Sequence, residues 1–285
     1  MTRASSLTAV LGALLAVACS PGNAAGDATF DMPSGLKEIS GLAVAGPDSV
    51  FTHDDNYAIV YEIALGNGHV LRAFAFGDPT IEGDFEGIAT ANGKVYLITS
   101  DGLIYSAVPV ANGKRASFQV YDTGIGSRCE IEGLAEAPEP GSLLVLCKRP
   151  RQKDAELRLT IYRWPLDTEE ALAEPWLSLP MKDLLDKEDR SDFRPSALEW
   201  DPARQKLYVV SGRDHLLLVF DKDKHLLLQR HLDRKKHPQT EGVTVMPDGR
   251  LVLSDEGSKT RSGTVAVYPQ PAEASPGGKP SSGKS

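Results

Sequence analysis

Three Glu-Gly pairs head short apolar runs in this chain: Glu86-Gly87 in "DFEGIA", Glu132-Gly133 in "EIEGLA" and Glu241-Gly242 in "TEGVTV". A carboxylate that enters a core loses hydration, so its threefold recurrence asks for a partner. If the three acids converge, their repulsion can be relieved by a cation, by basic side chains or by protons. A hard cation with several oxygen ligands points to calcium. The segments "HDDN" and "SDEG" add further acids, and Asp54 and Asp255 join the three glutamates as candidate ligands. Asp55, His53, Arg194, Arg213 and Glu256 are candidate contacts for a bound molecule. Lys148, Arg149, Arg194 and Arg213 keep the metal-free alternative open. In that reading the glutamates are bolts that accept backbone N–H groups or pair with these cations. His53 and His215 lack the spacing of a zinc site, and "DKDKHLLLQRHLD" has neither the glycine nor the final Glu of an EF-hand loop.

What would bring these residues together is a repeat. Ser40, Glu86, Glu132, Ser196 and Glu241 fall at equivalent places in five similar segments, at steps of 46, 46, 64 and 45 residues. Strand-patterned periods of this length indicate propeller blades. The fold class is all-β, a five-bladed β-propeller. Asn92-Gly93 and Asp248-Gly249 are expected to take positive φ in hairpin turns. "HVLRAFAFG", "SFQVYDTG" and "LLLQRHLD" read as fourth strands of the first, second and fourth blades, whereas the fifth copy has none of its own. "DATFDMP", Asp27 to Pro33, has no earlier blade to join, so it is expected to complete the last one and remove an exposed sheet edge. The long step carries about 18 extra residues by the repeat arithmetic, including "MKDLLDKEDR", a short helix or charged loop. In a propeller, first strands begin and second strands end around one mouth of the central channel, which gathers the acids there. Trp164, Trp176 and Trp200 are expected to pack between blades.

The ends read differently. Arg3 and the apolar stretch from Leu7 to Ala18 form an export signal over residues 1–18. "AVAC" resembles a lipobox, with Cys19 as the lipidated residue; an ordinary secretory cleavage near Ala18 or Ala25 is the alternative. Residues 19–26 are a short linker, 27–270 the propeller and 271–285 a disordered tail. These features place the protein in the periplasm, anchored to the outer membrane, or soluble there or secreted. The membrane is met only through the anchor. The turn signal "APEPGS" should bring Cys129 and Cys147 opposite each other as a disulfide in an oxidising compartment, with two free buried thiols as the alternative. A net charge of −8 argues against binding nucleic acid by bulk electrostatics.

"EGVTVMPDGRLVLSDEG" resembles an NHL-type propeller repeat. Together with "KEISGLA", "FTHDD", "DFEGIA", "EIEGLA" and "RPSALEWDP", it is similar to the SdiA-regulated family of exported bacterial proteins over about residues 33–269. That resemblance implies five blades and a bound calcium ion, but no settled activity. Two function classes follow. One is a monomeric binding module with a small-molecule or protein ligand at the upper face. The other is a calcium-dependent hydrolase, similar in plan to lactonase, arylesterase or phytase propellers. Against the second, those enzymes are typically six-bladed, and the chain has no Gly-x-Ser-x-Gly elbow or phosphate-cradling loop.

Overall fold

The computed structural model describes residues 27–152, 156–166, 175–185 and 193–269. The expected signal, Cys19, the linker 19–26 and the tail 271–285 lie outside the described residues. Among those described, no helix is long and apolar enough to cross a membrane.

The chain forms an all-β propeller of five sheets, each built on four antiparallel strands. The closing strand β1 is Ala28–Asp31. Blade one runs β2 (Ile39–Gly46), β3 (Ser49–Asp54), β4 (Ile59–Ala64) and β5 (Val70–Phe76). Blade two is β6 (Phe85–Ala91), β7 (Lys94–Thr99) and β8 (Leu103–Ala107), completed by β10 (Phe118–Asp122). Between the last two, the short β9 (Arg115–Ala116) pairs parallel to β5 and fastens blade two's connection to blade one. Blade three is β11 (Cys129–Glu136), β12 (Ser142–Pro150), β13 (Arg158–Pro165) and β14 (Pro175–Pro180). Nothing in the sequence pattern marks its fourth strand, β14. Of the expected segment 181–190, residues Met181–Leu184 form α1, and 186–190 lie outside the described residues. Blade four is β15 (Ala197–Asp201), β16 (Lys206–Ser211), β17 (Leu216–Asp221) and β18 (Leu226–His231). Blade five is β19 (Thr240–Val245), β20 (Leu251–Asp255) and β21 (Thr264–Tyr268).

Closure is as expected: β1 pairs antiparallel with β21, Phe30 opposite Val265. The innermost strands touch in ring order, and β19 meets β2. Each of five apolar clusters fills one space between neighbouring blades, the last joining Leu42 and Val50 to Val252 and Val265. Trp164 is fully buried between blades two and three, and Trp176 meets Trp200 edge-on between blades three and four. The turn chemistry is half as expected. Asn92 and Gly93 both take positive φ, 50° and 73°. At Asp248-Gly249 only the glycine does, while the Asp248 carboxylate accepts from the Arg250 N–H at 3.1 Å.

Cys129 and Cys147 are joined, with a Cα–Cα distance of 5.7 Å. They are diagonal neighbours rather than directly opposed. Cys129 faces Pro150 and Cys147 faces Ile131, because register shifts interrupt the β11–β12 pairing.

The same irregularity recurs at each Glu-Gly pair and explains how the acids are aimed. Phe85 pairs with Thr99 and Gly87 with Ile98, leaving Glu86 as an extra, unpaired residue. Glu132 is skipped between Ile131 and Gly133, and Glu241 between Thr240 and Gly242. Each glutamate is therefore the surplus residue of a β-bulge, a device that re-aims a side chain. The following glycine is required by close approach. A Cβ on Gly87 would lie 2.6 Å from the Leu134 nitrogen. Below the bulges, Leu42, Ile88, Leu134, Leu198 and Val243, one from each blade, surround an axial void of about 10 Å³. That is scarcely room for one water, so the channel is plugged and its upper mouth is a blind well.

Candidate functional site at the upper mouth

Glu86, Glu132 and Glu241 line one cavity of about 160 Å³ with Glu38, Asp55, Glu256, Ser40, Gln239 and Lys148. A second cavity of about 460 Å³ shares Glu132, Lys148, Gln239 and Glu241 and adds Arg194, Arg213 and Ser196. The two form one well with an acidic half under blades one, two and five and a basic side under blade four. Ser40 and Ser196 stand where the other blades carry Glu. Ser40 Oγ donates to Glu86 at 3.5 Å. Ser196 Oγ donates to the Thr240 carbonyl at 2.7 Å and accepts from the Gly212 N–H at 3.0 Å. Blade four thus uses its serine as a backbone bolt, the role considered for the glutamates.

Lys148 meets the acids from the end of β12. Its Nζ lies 2.5 Å from Glu132 Oε1 and 3.8 Å from Glu130. The other oxygen, Glu132 Oε2, is buried without a hydrogen-bond partner, although only 7% of the side chain is exposed. One lysine does not balance three carboxylates. Burial, followed by the charges of Glu132 and Asp84, pushes Glu86 up to about 8. Glu132 rises to about 8 through burial, against the pull of Lys148. Glu241 rises to about 8 through burial and the charge of Glu256. Asp55 reaches about 7, first by burial and then by the neighbouring Asp54 and Glu38 carboxylates.

The rim repeats as the floor does. Two residues before each aligned position stand Glu38, Asp84, Glu130, Arg194 and Gln239. Four of these were not singled out as site residues from the sequence, and the shared offset is the signal that finds them. Among the described residues, the one acid trio whose carboxylate oxygens lie within 4.8 Å of one another is Glu38, Asp54 and Asp55. Asn56 bridges it, donating from Nδ2 to Glu38 at 2.9 Å and to Asp55. Asp54 therefore sits at the rim, beside the well rather than in it.

Two expected participants are placed elsewhere. Asp255 faces away from the mouth and is buried against His237, at 2.7 Å, and Thr240, at 3.1 Å. The bulge at Glu241 sets this, because Asp255 pairs with Thr240 and leaves Glu256 to face the well. His53 is wholly buried, with Gly41 packed over its Nε2. Burial lowers it to about 4, and its Nδ1 lies 3.1 Å from the Asp54 carbonyl. It supports β3 and does not reach the well.

Five blades are what the sequence resemblance implied, and the gathering of the Glu-Gly positions at one mouth is what the repeat implied. Residues 186–269 match the SdiA-regulated family model. The matched segment carries the blade-four and blade-five side of the mouth, including Arg194, Ser196, Arg213, Gln239 and Glu241. No curated protein matches the chain. Among solved structures, the chain resembles a luciferin-regenerating enzyme at 9% identity and a TM-score of 0.52, over 85% of this chain and 95% of that one. It also resembles the glutaminyl cyclase of Myxococcus xanthus at 13% identity and a TM-score of 0.52, over 84% and 95%. At such identities the likeness is one of fold.

Proposed function

We propose that the protein is an exported, lipid-anchored β-propeller that holds calcium in the well and binds a small anionic molecule above it. The observation that carries this reading is the buried Glu132 Oε2, an unpartnered oxygen in a well whose floor already holds more acid than Lys148 neutralises. The donor chemistry suits the ion, since Glu86, Glu132 and Glu241 offer only oxygen, as a hard cation requires. Their oxygens are not all within 4.8 Å of one another, so the ion would have to draw them together. Calcium there would supply positive charge that a ligand's anionic group could share. Arg194 and Arg213, across the second cavity, suit the same group through charge-assisted hydrogen bonds. Lys148 competes with the ion for Glu132 and leaves it when calcium binds.

The test is calorimetric titration of metal-free protein with calcium and, separately, magnesium. Calcium is expected to bind, and Glu132→Gln to weaken that binding at least tenfold. Absence of calcium heat and of any change in melting temperature overturns the ion. Inorganic phosphate and succinate, titrated into the calcium form, are expected to bind in the parent and weaken in Arg213→Gln; absence of binding by both overturns the anion half alone. The two enzymes of similar fold make an assay with aryl esters and lactones a useful companion. Turnover that calcium supports and Glu241→Gln abolishes replaces the binding module with a hydrolase.

A further inference from the structure

Asp255, absent from the mouth, belongs to a second arrangement on the flank of the propeller. His237, from the connection between β18 and β19, points Nδ1 at Asp255 Oδ2, 2.7 Å away, and Nε2 at the Tyr268 hydroxyl, 2.6 Å away. His237 is 3% exposed and Asp255 1%. The other Asp255 oxygen accepts from the Thr240 hydroxyl at 3.1 Å and the Gln239 N–H at 3.3 Å. A carboxylate can only accept, so Nδ1 carries the imidazole proton and Nε2 is left to accept from the tyrosine. The order is hydroxyl, base and orienting acid, the logic of an activated nucleophile.

The hydroxyl end of this chain is not closed in a core. Tyr268 and His237 line a cavity of about 480 Å³ between blades four and five, floored by Leu217, Leu251 and Leu253. Its charged lining is mixed: Arg230 and Lys236 stand with Asp27 and Asp233, and Lys236 lies 3.8 Å from Asp27. The cavity has the size and apolar floor of a small-molecule site.

We propose that Tyr268 is a nucleophile in this interblade cavity, with His237 as its base and Asp255 as the positioning residue. The substrate class is an ester or comparable acyl electrophile with an apolar body that seats against Leu217, Leu251 and Leu253. In the step, Tyr268 Oη bonds to the carbonyl carbon and its proton passes to His237 Nε2. The ester C–O bond breaks, and the departing alkoxide takes that proton and leaves as the alcohol. The product is an acyl-tyrosine, which water hydrolyses by the reverse proton path. None of these groups reaches the calcium well, so this proposal stands or falls apart from the reading of the mouth.

Phenylmethylsulfonyl fluoride is a suitable probe, because the same attack expels fluoride and leaves a stable sulfonyl-tyrosine. The intact protein is treated at pH 7.5 with and without chelator, and labelling of its eight tyrosines is followed by peptide mass spectrometry. Tyr57, 43% exposed, reports simple accessibility. Tyr268 is expected to label at least tenfold faster than Tyr57, equally with and without chelator. His237→Gln and Asp255→Asn should reduce it to the Tyr57 rate, and Tyr268→Phe should remove the fast site. Labelling of Tyr268 no faster than Tyr57 in the parent overturns the proposal, whether or not the variants fold. So does fast labelling that persists in folded His237→Gln.

Discussion

Replacing Glu241 by Gln removes a titrating carboxyl from the well while keeping its shape, and the effect should depend on pH. Glu241 sits at about 8 in the folded protein against an ordinary 4.5. Its folded value is raised, so the stability linked to its proton is complete below about pH 4.5 and is lost as pH rises through 8. At pH 7 the metal-free parent has lost most of it, about 2.5 units at 1.36 kcal/mol each, or about 3 kcal/mol. At pH 5 the loss is under about 1 kcal/mol. Metal-free Glu241→Gln should therefore melt higher than the parent at pH 7, by roughly 6–12 °C for a domain of this size, and nearly level with it at pH 5. Calcium at a hundredfold excess over its dissociation constant should return about 2.7 kcal/mol to the parent and much less to the variant. The assay is differential scanning fluorimetry at the two pH values, with chelator and with calcium. A variant that gains equally at both pH values, or loses stability at both, refutes the idea that burial makes ionising Glu241 costly. Equal responses of parent and variant to calcium refute Glu241 as its ligand.

Lys148→Met should lower the melting temperature of the metal-free protein and enlarge its calcium-induced rise, because Glu132 loses its present partner; an unchanged calcium response would separate Lys148 from the ion. Gly87→Ala places a methyl against the Leu134 nitrogen and should cost about 1–3 kcal/mol by urea unfolding, whereas Gly93→Ala, with open space around it, should cost only the strain of its positive φ. Reducing Cys129–Cys147, separated by 18 residues, should cost about 3 kcal/mol by the loop-entropy relation, read as a lower urea midpoint in the presence of reductant. Cys19→Ala should release the protein from the membrane fraction in cells; retention there would remove lipidation from the reading.

The repeat was legible because blades impose a period, and equivalent positions in successive copies must meet at one axis. That logic gave the five sheets, the closure of β1 on β21 and the gathering of Glu86, Glu132 and Glu241. It also gave the partnership of Cys129 and Cys147, since a turn near Gly141 brings their strands together. The bulges were not legible. An unpaired residue is defined by register, and a shift of one residue moves a side chain to the other face of a sheet. That single step turned Asp255 inward and presented Glu256, and the irregular pairing of β2 with β3 separated buried His53 from Asp54 and Asp55. The fourth strand of blade three escaped notice because Pro175–Pro180 begins and ends in proline and follows a long connection, so no turn signal announced it.

The plug of Leu42, Ile88, Leu134, Leu198 and Val243 gives the proposed assembly a sequence in time. With no exit beneath, whatever settles on the floor enters and leaves past whatever lies above it. In that proposal a molecule seated over calcium would lock the ion in place, and departure would follow the reverse of arrival, guest first and metal second.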